Sequence, residues 1–322
     1  MTLNKESRKI VKIATGWWVG CATLGLANVA SAAIVGPAAG YNVFIFGSGS
    51  FTSQNTDTMG NLAAGGDVSL MNYAVAQGIA GDPAQSTNPA RLVVGGKLTA
   101  QNGGVGSNQN GSIYYGTQAP SLTSFTARGG QVANQTLVNF NSAAALYTSY
   151  SQQLGGLAAN GTTAFNSNSH ELDLTGTLGG LNVFTVTAAQ LSNSNTIDIT
   201  APTGATVLIN IAGAGPVSFS NGSVVENGVT DAQVLYNFAS ATSVNLTGSK
   251  DPMGSILAPD AGVTGGFGAL HGDLIAGSYS GNTQFDDVAF TGTLPNPVPL
   301  PGAALLFGSG LLSLFGLKRR QA

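Results

Sequence analysis

The stretch LNVFTVTAAQLSNSNTIDITAPTGATVLINIAG (181–213) decides the fold. It holds three strand-length runs, LNVFTVT (181–187), TIDIT (196–200) and TVLINIAG (206–213). Apolar alternation recurs in them, most cleanly in TIDIT, and each is rich in β-branched side chains, the pattern of short strands. Upstream the pattern recurs in YNVFIFG (41–47), GDVSLMNYAVA (66–76), RLVVGGKLTA (91–100), GSIYYG (111–116) and ELDLTG (171–176). Downstream it recurs in VSFSNG (217–222), AQVLYNF (232–238), SVNLTG (243–248), SILAP (255–259), GDLIAG (272–277) and VAFTG (288–292). Gly, Asn, Asp or Pro punctuates the runs. The chain is therefore all-β with many short strands.

A sandwich and a β-solenoid compete for such a pattern. Asn-Gly stands at 102–103, 110–111, 160–161, 221–222 and 227–228, rarely between two matched strands as a two-residue hairpin requires. Short runs with sharp corners suit the coils of a parallel β-helix, in which each rung stacks on the next. No exact repeat period is visible. The expectation is a β-solenoid.

One segment breaks the β pattern. In TLVNFNSAAALYTSYSQQLGGLAANG (136–161), Leu137, Phe140, Ala144, Tyr147, Ser151, Leu154 and Ala158 follow steps of three and four. That spacing predicts a helix over about 137–159, with Thr136 to cap its start and Asn160-Gly161 to end it. Roughly 23 residues would reach about 34 Å, the height of about seven stacked rungs. A helix of that length in a β chain is expected to lie along the outside of the solenoid and cover one apolar face.

The two ends read as addresses. Lys5, Arg8, Lys9 and Lys12 precede an uncharged stretch that finishes at Ala30-Ser31-Ala32. Basic region, apolar region and A-x-A site together predict a secretory signal over 1–32, cleaved after Ala32. Cleavage would remove Cys21, the only cysteine, so no disulfide or thiolate chemistry is expected of the body. At the other end, 294–322 combines a proline-rich stem, an uncharged run over 302–317 and the basic end Lys318-Arg319-Arg320. Sixteen helical residues rise about 24 Å, slightly short of a bilayer core. Transient membrane insertion through this segment is expected, with the bases on the cytoplasmic side.

With both ends set aside, the charge changes character. Arg91, Lys97, Arg128 and Lys250 face thirteen acids between 33 and 300, four against thirteen leaving −9. There is no basic patch to neutralise phosphates, which argues against a nucleic-acid partner.

The tail also carries a resemblance. Val298-Pro299-Leu300-Pro301, then an apolar run containing LFGSGLL, then the terminal KRR is similar to the PEP-CTERM sorting signal of Gram-negative bacteria, here in a VPLP variant. The resemblance implies an exosortase-type processing protease as partner, removal of the tail, and delivery to the cell surface or extracellular matrix. The body, 40–293, resembles the choice-of-anchor A domain, an adhesive domain of exported bacterial proteins. YNVFIFGSGSFTSQNTDTMGNLAAGGDVSLMNYAVA carries its opening. VVGGKLTAQNGGV, SQQLGGLAANG and GSILAPDAGVTGGFGALHGDLIAGSYSGNTQFDDVAFTG match later blocks in the same order. That resemblance implies a β-helix with an accompanying helix, similar to the ice-binding scaffold.

No catalytic constellation emerges. His170 and His271 stand apart, and Glu171 is followed by Leu172-Asp173 rather than by an H-E-x-x-H spacing. Asp286-Asp287 are adjacent, so on a strand they point to opposite faces and cannot flank one glycosidic bond; they read as a solvated turn pair. Thr185-Val186-Thr187 is one Thr-x-Thr without a ladder of others, which leaves ice binding a minor alternative. The expectation is a non-enzymatic adhesin or biofilm-matrix component without cofactor or metal. Its ligand would be an extracellular polysaccharide or matrix protein, met through a face such as Asn72-Tyr73 and Tyr114-Tyr115. A polysaccharide-active β-helix enzyme is the rival class.

Overall fold

A computed structural model describes residues 31–32, 34, 36–79, 83–106 and 111–297. Within each run one set of side chains turns inward, and like stacks on like from rung to rung. Parallel pairing joins ten segments into one ladder. Its order is Leu181–Thr187, Thr206–Ala212, Val234–Asn237, the starts of Ser255–Gly265 and Leu274–Gly281, Val43–Ile45, Leu62–Ala64, Ala90–Val94, Ser112–Tyr115 and Val132–Asn134. Phe184, Ile209, Tyr236, Ile256, Leu274, Val43, Leu62, Leu92 and Ile113 fall in register along it. None is more than 1% exposed. Burial of each apolar side chain of this size contributes about 1.5–3 kcal/mol, so the stack is the main cohesive feature.

The order of rungs is not the order of the chain. The chain enters in mid-ladder at Val43–Ile45 and climbs to Val132–Asn134. A helix then carries it back past its own start, and it winds inward from Leu181–Thr187 until Leu274 pairs with Val43. The result is a solenoid with one long helix alongside, as the sequence led us to expect.

Two further faces complete each coil. On the second, Val217, Val244, Val263, Tyr279, Phe51, Val68 and Leu98 form the inward row. On the third, Glu171–Thr175, Thr196–Thr200 and Ser223–Asn227 run parallel, and Thr162–Asn166 closes that end antiparallel. Ala269–His271 and Gln284–Asp286 continue the third face toward the far half of Phe51–Thr58.

The corner between the second and third faces has its own chemistry. Asn55, Asn72, Asn102 and Ser124 turn it with φ of 55°, 50°, 54° and 51°, a left-handed geometry that Asn tolerates better than other non-Gly residues. Their side chains form a ladder: Asn72 Nδ2 donates to Asn55 Oδ1 at 2.8 Å, and Asn102 Nδ2 to Asn72 Oδ1 at 3.1 Å. Gly103 follows at φ +140°, where a Cβ would strike the carbonyl oxygen of Tyr73.

The long helix is shorter than its periodicity suggested. It spans Phe140–Gly155, with Asn139 rather than Thr136 as cap; Asn139 Oδ1 accepts from Ser142 N at 3.0 Å. Gly155-Gly156 ends it before Asn160-Gly161 is reached, because paired glycines forfeit helix propensity. Sixteen residues rise about 24 Å, so the helix crosses five rungs, not seven. At one end the Phe140 carbonyl accepts from Gly47 N at 3.3 Å. At the other the Leu154 carbonyl accepts from Asn210 Nδ2 at 2.8 Å. Phe140, Ala143, Tyr147, Tyr150, Ser151 and Leu154 are buried against the outward side of the first face. There Tyr147 stacks on Phe46 at 5.4 Å, and its hydroxyl accepts from Ala38 N at 2.8 Å.

Both ends of the described body lie on this helix side. Ser31–Ala32 pair antiparallel with Thr293–Leu294. Tyr150 Oη donates to the Pro295 carbonyl at 3.0 Å, and Gln153 Nε2 to the Asn296 carbonyl at 2.9 Å. Ala30, the VPLP segment 298–301, the apolar run 302–317 and the basic end 318–320 lie outside the described residues.

Candidate binding face

Residues two apart on a strand share a face, so the outward row of the second face can be read from its register. It is Ser218, Asn245, Thr264, Ser280, Thr52, Ser69, Thr99 and Ser121, one hydroxyl or amide on each of eight rungs. The last six are exposed. At about 4.8 Å per rung the row runs about 34 Å. A second row, Gln54, Met71, Gln101 and Thr123, lies beside it toward the corner. Between the rows is a shallow groove of about 300 Å³ lined by Thr52, Gln54, Ser69, Met71, Ser280 and Asn282. Neither row contains a charged residue.

Sequence reasoning missed this ladder, although the signal was present. GSFTSQN (49–55), GDVSLMN (66–72) and GKLTAQN (96–102) share one pattern. It is glycine, any residue, an inward apolar residue, an outward Ser or Thr, an inward residue, an outward Gln or Met, and the corner Asn. Unequal excursions between rungs hide the period: the corner moves by 17 residues from Asn55 to Asn72 and by 30 from Asn72 to Asn102. The tripeptide Thr185-Val186-Thr187 is unrelated to the row. Thr187 instead caps a short helix, Ala188–Asn193, in a reciprocal capping box with Gln190.

The contact residues suggested from sequence fare unevenly. Asn72 is exposed and belongs to the corner ladder. Tyr73 is 1% exposed, with its hydroxyl 2.6 Å from Thr58 Oγ1. Tyr114 is 7% exposed in the cluster beneath the helix face, and its hydroxyl accepts from Gln131 Nε2 at 3.0 Å. Neither ring is available to a ligand, because each occupies a position whose neighbours close over it.

Titratable groups are scattered. His170 sits in an exposed turn with Nδ1 2.9 Å from the Asn193 carbonyl. His271 Nδ1 lies 2.9 Å from Asp286 Oδ2. Asp286 ends the strand Gln284–Asp286 and Asp287 lies just past it; the two side chains take different partners and are half-buried rather than a solvated turn pair. Asp287 Oδ1 accepts from Gln85 Nε2, and Gln85 in turn receives Asn42 N at 3.2 Å and Asn61 N at 2.5 Å. Arg91 donates to the Gln85 carbonyl at 2.5 Å and the Ser86 carbonyl at 3.2 Å. This network ties together buried polar groups at mid-ladder, where the coil that opens the chain's path pairs with the coil that closes it, a structural task, although Arg91 Nε is left without a partner in it. Asp57, beside it, is raised by burial and by the charge of Asp286.

Two isolated groups complete the inventory. Glu226 falls in register with Ile199, facing the interior, and burial aided by Asp231 pushes its carboxyl up to about 7. Lys250 is 1% exposed and donates to the Ser194 carbonyl at 2.5 Å and to its Oγ at 2.9 Å; burial pushes it down to about 8. No group of three His, Cys, Asp or Glu that could hold a metal occurs among the described residues.

A family described as "putative ice-binding-like adhesive domain" matches residues 34–287. The chain belongs to that family. No curated protein matches this adhesive-domain protein. Among solved structures it is similar to an ice binding protein from an Antarctic bacterium, Flavobacteriaceae, at 13% identity and a TM-score of 0.30. That alignment covers 80% of this chain and 81% of the other, and it is too loose to bear on ligand or mechanism.

Proposed function

We propose that this adhesive-domain protein is an exported, non-enzymatic component of the cell surface or extracellular matrix, and that its second face is the contact surface. The observation that carries the proposal is the uncharged row of hydroxyls and amides on eight successive rungs. A single such group contributes roughly 0.5–1.5 kcal/mol net when paired. A regular row engages an extended, repeating partner many times over, and affinity accumulates through multivalency. A neutral extracellular polysaccharide fits this chemistry, since no charge on the rows calls for a charged ligand. The test is binding of the purified protein to a panel of glycans and matrix proteins. Uniformly negative results at high protein density would sink the proposal.

The terminal signals belong to the same proposal. The narrower choice-of-anchor A membership, signal removal at Ala32 and hand-over of the VPLP tail to an exosortase-type protease are its finer parts. Hydrogen bonds at Pro295 and Asn296 hold the stem against the helix, on a different flank from the contact face. Deleting 298–322 should abolish sorting; unchanged release and surface display would reject that part.

Ice binding is a second reading favoured by the same row. Gln54, Met71 and Gln101 weigh against it, because long rotatable side chains roughen a flank that must match a lattice. Inhibition of ice recrystallisation that disappears on changing Thr52, Ser69 and Thr99 to Val would reverse the preference.

A further inference from the structure

Phe267 is the most exposed large apolar side chain among the described residues. It is 87% exposed, against 45% for Leu178, the next in order. It stands at the corner between the second and third faces, beside the contact face. Thr264, three residues earlier, belongs to the outward hydroxyl row and pairs with Ser280. Asn282, on that neighbouring coil, lines the groove between the two rows.

The backbone makes room for that ring. Four residues lie between Thr264 and Ala269, whereas three lie between their partners Ser280 and Gln284. One residue therefore has no counterpart, and the coil rises into a crest. The base of the crest is pinned. The Gly266 carbonyl accepts from Thr283 Oγ1 at 3.2 Å, and the Gly268 carbonyl accepts from Gln284 N at 2.9 Å. Asp251 Oδ1 accepts from Ala269 N at 3.0 Å. Gly268 turns the crest with φ +112°, a conformation open to glycine. The fold thus holds an aromatic ring in water on a fixed turn, and forgoes the stabilisation that burying it would bring.

The neighbouring coils offer Thr247 on one side and Asn282 on the other, so the apolar surface there is one ring wide. A protein interface is built round a patch of several apolar side chains. An anionic lipid surface finds little to hold in a body with four bases against thirteen acids. A pyranose ring has a flat face of C–H bonds that matches one phenyl ring, and hydroxyls round its rim that match the two rows. We infer that Phe267 stacks on the C–H face of one pyranose unit while the hydroxyl and amide rows hold the units that follow. The ligand class is then a neutral polysaccharide of pyranose rings. This inference rests on the second face being the contact surface, and names the chemistry that the surface takes.

The test is affinity electrophoresis of the full chain in a mild detergent without a sugar headgroup. The gels carry a β-glucan, a galactomannan or dextran as pyranose polymers, inulin as a furanose polymer, or gelatin as a protein. At least one pyranose polymer should retard the protein. Phe267→Ala should weaken that binding about tenfold, Phe267→Leu should weaken it as much, and Phe267→Trp should keep or strengthen it. All three should melt like the parent, since the ring packs on little. If Phe267→Ala or Phe267→Leu binds like the parent while Thr52→Val with Ser69→Val does not, the contact face stands and the stacking inference falls. Retardation by inulin or gelatin alone also overturns it. Binding to none of the five overturns both this inference and the reading on which it rests.

Discussion

The first and second faces of this solenoid are built from the same coils, yet they have opposite fates. On the first, the outward row includes Leu257, Ile275, Phe44, Ala63 and Val93, and the helix closes over part of it. On the second, the corresponding row is Ser and Thr with one Asn, and it stays open. Inward rows on both faces are apolar. The difference teaches that the inward residues fix the coil, whereas the outward residues decide whether a flank becomes core or contact surface.

The most disruptive way to break that contrast is to remove the helix from its seat. Tyr147→Ala deletes a ring packed on Phe44 and Phe46 and a buried hydroxyl that receives Ala38 N. A loss of about 3–5 kcal/mol is expected for a buried aromatic truncated to Ala, read as a marked fall in the denaturation midpoint. The corner ladder should come next. Asn72→Ala loses two side-chain hydrogen bonds and forces Ala into φ 50°, at a cost of roughly 1–3 kcal/mol. Asn72→Gly keeps the backbone comfortable and should cost less; equal losses in urea melts would show that conformation is irrelevant there.

Glu226 sharpens the comparison from inside the third face. Its carboxyl ionises near 4.5 when unfolded and near 7 when folded. The folded state therefore holds its proton more tightly, so its advantage is whole below pH 4.5 and is lost as pH rises through about 7. Thermal melts should show this decline between pH 4.5 and 7, and Glu226→Gln should flatten it. The smallest stability effect is expected on the open row. Ser69→Val and Thr99→Val should change stability by no more than about 0.5 kcal/mol while weakening adhesion, a split that a flank serving only to fold would not give.

The coil was legible in the sequence because period-two alternation survives on the second and third faces, as TIDIT (196–200) illustrates, while first-face runs such as TVLINIA (206–212) are strand-length and β-branched but buried on both sides. The helix was legible from its stripe, but its ends were not. Asn139 caps through its side chain, and Thr136, three residues earlier, belongs to the same class of capping residue. The contact row was hidden for another reason: a stack of Thr52, Ser69 and Thr99 exists only once rungs of unequal length are set in register. Burial was the least legible property, since Tyr73 and Tyr114 look like surface aromatics until their neighbours close over them.

The described solenoid is entered and left at mid-ladder, where Val43 pairs with Leu274. If this protein holds a cell to a substrate, tension arriving through the stem would enter the solenoid at its waist rather than at a terminal coil. An ordinary solenoid pulled by its ends can be peeled one repeat at a time. Here, once the stem's own bonds to the helix give way, the ladder bonds that bear load join segments more than two hundred residues apart in sequence, and both outer stacks would hang from that central seam as from a clasp.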